Sequence, residues 1–168
     1  MAKAILIVGK LCSGKSTYAE RLKRELGAIV LSVDELMLAL FPEGAGEHHD
    51  LYVRRVKEYL LNLSLSLIGQ QVSVVLEWGF WTKAQRDEVR SFYTRSGADF
   101  EFHMIDIDPM EWQRRIERRN TAMRDGAAGS YYVDDGLLRK FEALYEPPEA
   151  SEMAGWIRVP ADSPVTDR

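Results

Sequence analysis

Five short apolar runs punctuate the chain, and a helical pattern follows each of the first four. The first run, Ala4–Val8 (AILIV), is apolar at every position. Continuous runs of this length belong to strands buried on both faces, as in parallel sheets. After a stretch rich in glycine, lysine and serine, Tyr18, Ala19, Leu22 and Leu26 recur at helical spacing. Gly27 stands where a helix ends in the left-handed conformation. Ala28–Ser32 is the second strand; Asp34 follows it at the start of a short helix through Leu40. Phe41–Glu47, with Pro42, Gly44 and Gly46, reads as a loop, and His48–Ile68 as a long helix ending near Gly69. Val72–Leu76 is the third strand, closing on Glu77. Thr82 with Gln85 three residues later forms a capping box for a helix to Ser96, ended by Gly97. Phe100–Ile107 is the fourth strand. Pro109 suits the first turn of a helix to about Asn120. Thr121–Ser130, rich in small residues, reads as loose. Asp134–Tyr145 is a last helix, stopped by Pro147 and Pro148, and Trp156–Val159 a fifth strand.

Alternating strands and helices predict an α/β fold with a parallel sheet and helices on both faces. Ligands of such sheets bind beyond the carboxyl ends of the strands. Gly9–Ser16, Asp34, Glu77 and Asp108 all fall there. A length of 168 residues fits one domain, 1–168. The single cysteine, Cys12, excludes a disulfide framework. No apolar run approaches the ~18 residues of a membrane span, and the N-terminal MAKAILIVGK is too short for a signal peptide. A cytoplasmic location without membrane attachment is the expectation. A net charge of −4 disfavours nucleic acid as a partner. The oligomeric state is left open.

Gly9-Lys10-Leu11-Cys12-Ser13-Gly14-Lys15-Ser16 satisfies G-x-x-x-x-G-K-[ST] at each fixed position, between a strand and a helix. Gly9 and Gly14 let the backbone wrap phosphate oxygens. Backbone N–H groups, including those of Cys12 and Ser13, and the helix N-terminus supply partial positive charge. Lys15 is placed to reach the β- and γ-phosphates of ATP, Ser16 to ligate Mg²⁺, and Thr17 to contact an inner phosphate. Phosphoryl transfer also needs a group that accepts the proton of the attacking hydroxyl. Asp34, across the cleft from Lys15, is the candidate; capping its helix is its alternative or additional role. Glu77 ends VVLE in a Walker-B-like acid, placed for a Mg²⁺-bound water or an acceptor hydroxyl, or else a solvated strand end. Trp78, Phe80 and Trp81 offer an acceptor pocket or, equally, packing under the next helix.

Arg114, Arg115, Arg118, Arg119 and Arg124 lie within eleven residues. Arg115 and Arg119 share one helix face, Arg114 and Arg118 its neighbour. An arginine-bearing helix followed by a loose loop suits a mobile lid over approximately residues 115–136, bringing positive charge to a transferring phosphoryl group. The alternative is a solvated face paired with Glu111 and Glu117. His48 and His49 read as exposed helix-start residues and His103 as a satisfied histidine. Cys12 has no required role as a thiol.

Four stretches resemble a family: GKLCSGKST at Gly9–Thr17, LSVDELM at Leu31–Met37, VVLEWGFWTKAQRD at Val74–Asp87, and RRIERRN at Arg114–Asn120 with FEALYEPP at Phe141–Pro148. The chain resembles the small P-loop kinases grouped around polynucleotide 5′-kinase, chloramphenicol phosphotransferase, zeta toxins and gluconate kinase. It is most similar to bacterial proteins described as ATP-dependent kinases without an assigned acceptor. The resemblance implies a P-loop NTPase fold, a five-stranded parallel sheet in the order 2-3-1-4-5, sandwiched by helices and carrying a lid. It implies Asp34 as catalytic base, Arg115 near the adenine and Arg119 on the phosphates, with Pro160–Asp162 edging the adenine. Polynucleotide kinases carry an arginine shortly after the catalytic aspartate; here Glu35, Leu36, Met37 and Leu38 follow.

The resulting expectation is an ATP- and Mg²⁺-dependent phosphotransferase with Asp34, Lys15 and Arg119 as catalytic residues. Its acceptor is a hydroxylated small molecule of antibiotic, sugar or nucleoside type, bound near Asp34, Glu77, Trp78, Phe80 and Trp81. The alternatives are a polynucleotide 5′-hydroxyl kinase and a nucleotide-dependent regulatory protein with slow ATPase activity.

Overall fold

β1 (Ala4–Val8) is buried at all five positions because it lies in the middle of a sheet, with a parallel neighbour on either side. The computed structural model describes residues 1–125 and 132–161. β2 (Ile29–Ser32), β3 (Val74–Gly79), β4 (Phe100–Asp106) and β5 (Ile157–Pro160) complete a parallel sheet in the order β2-β3-β1-β4-β5. The edge strands β2 and β5 are each buried at a single position, which is why their sequences are less uniformly apolar than β1.

Among the described residues six α-helices connect and cover the strands: α1 (Lys15–Leu26), α2 (Val33–Leu40), α3 (His49–Gly69), α4 (Lys83–Ser96), α5 (Pro109–Arg124) and α6 (Asp135–Leu144). Strand alternation divides the core. Ile5, Ile7, Val75 and Ile105 pack with Tyr18, Ala19 and Leu22 of α1. Ala4, Leu6, Val8, Val74 and Leu76 pack on the opposite face with Val33 and Met37 of α2, Val56 and Leu60 of α3, and Val89 and Tyr93 of α4. A third cluster, Leu11, Ile116, Val133 and Phe141, closes the carboxyl end of the sheet. The chain leaves β1 towards β2 and β4 towards β5, so the switch point of the sheet lies between β1 and β4. The glycine-rich loop follows the first of these strands and α5 the second.

The punctuation read from the sequence holds at most ends. Gly27 and Gly97 are left-handed helix caps. Both bonds of the Thr82–Gln85 capping box form, and Pro109 sits in the first turn of α5. Three places differ by more than a single residue. Residues 46–48 form a short 3-10 helix within the expected loop and its border. β3 starts at Val74 and runs to Gly79, through a register shift: Leu6 pairs with Leu76 but Val8 with Gly79. One extra residue on β3 is a bulge, a device that re-aims side chains beside functional sites. α5 extends to Arg124 through the stretch expected to be loose, because no glycine or proline interrupts the chain before residue 126. Residues 126–131 of the expected lid, and the chain from Asp162 onward, lie outside the described residues.

Candidate active site

The loop from Gly9 to Ser16 joins β1 to α1, and left-handed backbone at Cys12 (φ 57°) and Gly14 (φ 99°) bends it around its own amides. A non-glycine residue rarely adopts that conformation, and such strain collects at ligand clamps. Gly14 occupies the N-cap of α1, so no side chain caps the helix, and its first turn carries no acid. The leading amides remain available to an anion. The Lys15 ammonium is half-buried and donates to the Lys10 carbonyl at 2.7 Å. Its burial lowers its pKa; the charges of Glu77, Cys12 and Asp34 oppose the shift, and that of Arg119 adds to it. Ser13 Oγ is buried with no hydrogen-bond partner among the described residues. The uncapped amides at the start of α1, the Lys15 ammonium beside them and the orphaned Ser13 hydroxyl together fit a polyphosphate. Thr17 is exposed at the start of α1.

An acidic wall faces the loop. Ser16 Oγ donates to Glu77 Oε1 at 2.8 Å. Burial pushes the Glu77 carboxyl upward, against hydrogen bonding from Ser16, the charge of Lys15 and hydrogen bonding from Ser32. Hydroxyl and carboxylate oxygens at this spacing are hard ligands and fit Mg²⁺, which takes one or two protein oxygens and completes its shell with phosphate and water. Among the described residues no cluster of three or more His, Cys, Asp or Glu offers a metal cage independent of a nucleotide. Ser32, which the sequence reading left unassigned, caps α2 by accepting from the Glu35 amide. Asp34 is therefore not the cap. It sits exposed in the first turn, and its charge acts on Lys15, Glu77 and Lys57.

One face of α5 grips the loop. Trp112 Nε1 donates to the Leu11 carbonyl at 2.5 Å, Arg119 to Cys12 Sγ at 3.3 Å, and Arg115 to the Ser13 carbonyl at 2.9 Å. The three residues recur at helical spacing and hold three consecutive loop residues. Arg115 also donates to Ala161 O at 2.6 Å, tying the loop to the segment after β5, and pairs with Glu111 at 2.9 Å. An added Cβ at Gly14 would lie 2.8 Å from the Arg115 guanidinium, so glycine there also serves this close approach. The remaining arginines divide as the solvated alternative has it: Arg118 is 72% exposed and pairs with Glu111, Arg124 meets Tyr132, and Arg114 is exposed. Asp108, a strand-end acid in sequence, accepts from the Met110 and Glu111 amides as the cap of α5.

The three aromatics after Glu77 have different fates. Phe80 is 1% exposed in the core with a left-handed φ of 46°, so its ring is core and not pocket lining. Trp78 is half-buried against Phe80. Trp81 packs edge-on against Phe141, its Nε1 buried without a hydrogen-bond partner among the described residues. Arg86 fixes this turn from below: its guanidinium donates to the carbonyls of Phe80 and Trp81, each at 3.1 Å, and forms a two-pronged pair with Glu152 at 2.6 and 3.2 Å. Arg86 was legible only as a break in the apolar stripe it shares with Val89 and Tyr93. His48 and His49 are exposed. His103 is buried and bonded to Tyr18 Oη at 2.7 Å and Glu101 at 3.3 Å.

A family model described as an AAA domain matches residues 5–148. The chain belongs to this family. It is a member of the small P-loop kinase group, as its four sequence stretches indicated. No curated protein matches it. Among solved structures it is similar to a gluconokinase from Sinorhizobium meliloti, at 16% identity and a TM-score of 0.62, over 96% of this chain and 84% of that one. It is similar to the Mycobacterium tuberculosis APS kinase CysC, solved with AMPPNP and APS, at 19% identity and 0.64, over 97% and 90%. A chain of the Pnkp1/Rnl/Hen1 RNA repair complex matches at 21% and 0.64, over 85% of this chain and 43% of its own. These likenesses are of fold: the P-loop kinase architecture extends through α5, α6 and β5, beyond the loop motif itself.

Proposed function

We propose that the chain transfers the γ-phosphate of ATP to a hydroxyl of a small molecule, with Mg²⁺. The observation that carries this reading is the state of Asp34. It is exposed, relieved of capping by Ser32, and within electrostatic reach of Lys15 and Glu77 across the loop. A switch that only binds nucleotide has no use for a free carboxylate there. The acceptor oxygen attacks the γ-phosphorus, its proton passes to the Asp34 carboxylate, and ADP leaves. Gly9, Gly14 and the amides of Cys12 and Ser13 cradle the phosphates with Lys15; Thr17 adds an inner-phosphate contact. Ser16 and Glu77 would hold Mg²⁺, which would supply charge neutralisation to the transferring phosphoryl group. Arg115 orders the loop and the nucleotide side of the cleft. Arg119, parked on Cys12, moves to the phosphates when the lid closes. Trp78 and Trp81 border the acceptor side with Asp34 and Glu77. A cytoplasmic location belongs to the same proposal. Among the described residues, no helix is long and apolar enough to cross a membrane.

The test is transfer of labelled γ-phosphate to pooled hydroxylated small molecules and, separately, to 5′-hydroxyl oligonucleotides. Label is expected on a small molecule, and Asp34→Asn is expected to lower turnover ~10²-fold or more while leaving ATP binding intact. Full transfer by Asp34→Asn would sink the base assignment. Label on oligonucleotides alone would make the chain an end kinase, a reaction class to which the RNA repair likeness is relevant. ATP hydrolysis with no acceptor in either pool would favour the regulatory reading. Lys15→Ala is expected to abolish tight ATP binding, read by calorimetry.

A further inference from the structure

We propose that Arg86 of α4 and Glu152, in the stretch before β5, are positioning residues for the metal: they hold the bulge at the end of β3 in place and so aim the Glu77 carboxylate at the Mg²⁺ site. The inference rests on Ser16 and Glu77 as the Mg²⁺ ligands of the phosphotransferase reading.

Glu77 lies inside the bulge. Leu6 pairs with Leu76 and Val8 with Gly79, so Glu77 and Trp78 together stand against Ile7 alone. A bulge that moves by one residue turns side chains to the other face of the sheet. The bond from Ser16 Oγ to Glu77 Oε1, 2.8 Å long, depends on which face Glu77 takes. Pairing with β2 stops at Glu77, opposite Ser32. Beyond that point β3 is held by β1, with the Gly9 amide on the Gly79 carbonyl at 3.3 Å, and by the turn that follows. That turn is costly in itself. Gly79 and Phe80 are both left-handed, at φ 86° and 46°, a conformation that a bulky side chain rarely allows. The Trp81 indole lies across Gly79, where a Cβ would collide with it, and its Nε1 is buried with no partner among the described residues. Strain and an orphaned donor persist only where the surroundings over-determine them. Arg86 supplies that constraint. One guanidinium nitrogen donates to the carbonyls of both Phe80 and Trp81, at 3.1 Å each, while Nε and the third nitrogen pair with Glu152 at 2.6 and 3.2 Å. The Glu146 amide adds a bond to the Trp81 carbonyl at 2.9 Å. A buried ion pair contributes little stability beyond an apolar pair of similar size. What the guanidinium fork supplies, and two methionines would not, is a fixed direction for two successive carbonyls four residues or fewer from Glu77.

The double variant Arg86→Met with Glu152→Met separates position from stability. It removes both charges, so neither is stranded, and the fold is expected to survive. Titration calorimetry of ATP binding, in Mg²⁺ and in EDTA, reads the contribution of the metal without turnover. In the wild type Mg²⁺ is expected to tighten ATP binding. In the double variant the Mg²⁺ concentration at half-effect should rise roughly 10- to 100-fold, as loss of a group that orients a metal ligand does. ATP binding in EDTA should stay as in the wild type. Arg86→Lys keeps a charge beside Glu152 but loses the fork. It should show the same selective loss, and it decides the matter if the double variant is unfolded. Wild-type Mg²⁺ dependence in a folded variant overturns the inference and leaves the kinase reading standing. Equal weakening in Mg²⁺ and in EDTA also overturns it, because the pair then supports the phosphate loop as a whole. Failure of both variants to fold overturns it too, the pair being then structural. No effect of Mg²⁺ on the wild type overturns the metal assignment of Ser16 and Glu77 and the inference with it.

Discussion

Single residues in the site are tuned against the stability of the empty protein. Glu77 is a clear instance. Its burial outweighs the help it draws from Ser16, Lys15 and Ser32, so its pKa in the fold is raised above the ordinary 4.5. Such a group favours the folded chain below pH 4.5, and that advantage is lost as pH rises through its folded value. At pH 7 the ionised carboxylate opposes folding. Glu77→Gln is expected to raise the unfolding temperature of the ligand-free protein at pH 7, with the gain vanishing near pH 4. The same variant should lose most of the stabilisation that Mg·ATP confers. Scanning calorimetry with and without Mg·ATP checks both; an unchanged ligand-free midpoint at pH 7 would contradict the burial argument. The glycines, Lys15 and Ser16 were legible because a phosphate loop constrains residue type and spacing together. The role of Arg86 was not, because an arginine on a helix carries no mark in sequence of the turn it meets.

At the scale of elements, β4 and α1 are joined by a polar chain that is buried at Tyr18 and His103 and half-buried at Glu101 and Lys3. Tyr18 Oη meets His103 Nδ1, His103 Nε2 meets Glu101, and Glu101 pairs with Lys3 at 2.6 Å. Burial lowers the pKa of His103 below 6.5, with hydrogen bonding from Glu101 opposing it. A histidine kept neutral by the fold contributes stability above pH 6.5, lost as pH falls through the lowered value. The unfolding free energy of the wild type should decline over that acidic range, and His103→Gln should flatten the decline; urea titrations at stepped pH measure it, and parallel profiles would remove His103 as the cause. The helix boundaries were legible where a local device sets them, as at Gly27, Thr82 and Pro109. They were missed where tertiary contacts do. β3 gains its last residues from pairing with β1 across a bulge.

At the scale of the molecule, the carboxyl end of the sheet is held by links between distant segments. The Arg86–Glu152 pair, 1% and 7% exposed, fastens the Phe80–Trp81 turn to the stretch before β5. Truncating one member of a buried pair strands the other. Arg86→Met is expected to cost about 3–5 kcal/mol in chemical denaturation, and adding Glu152→Met should recover much of it. A loss below about 1 kcal/mol would show that the pair is dispensable. Arg115 works similarly, joining Ser13 to Ala161 across the switch point.

The sequence by itself determined the strand and helix alternation, the parallel sheet and the phosphate loop, since apolar periodicity and glycine spacing are local properties that burial and phosphate geometry enforce directly. Only the tertiary structure decided the division of labour among residues of the same type. It set Arg115 and Arg119 on the loop but Arg118 in solvent, Asp34 free but Asp108 and Asp134 as caps, and Phe80 in the core beside a half-buried Trp78. Those outcomes depend on which face of an element meets another, and segments far apart in the chain fix that face.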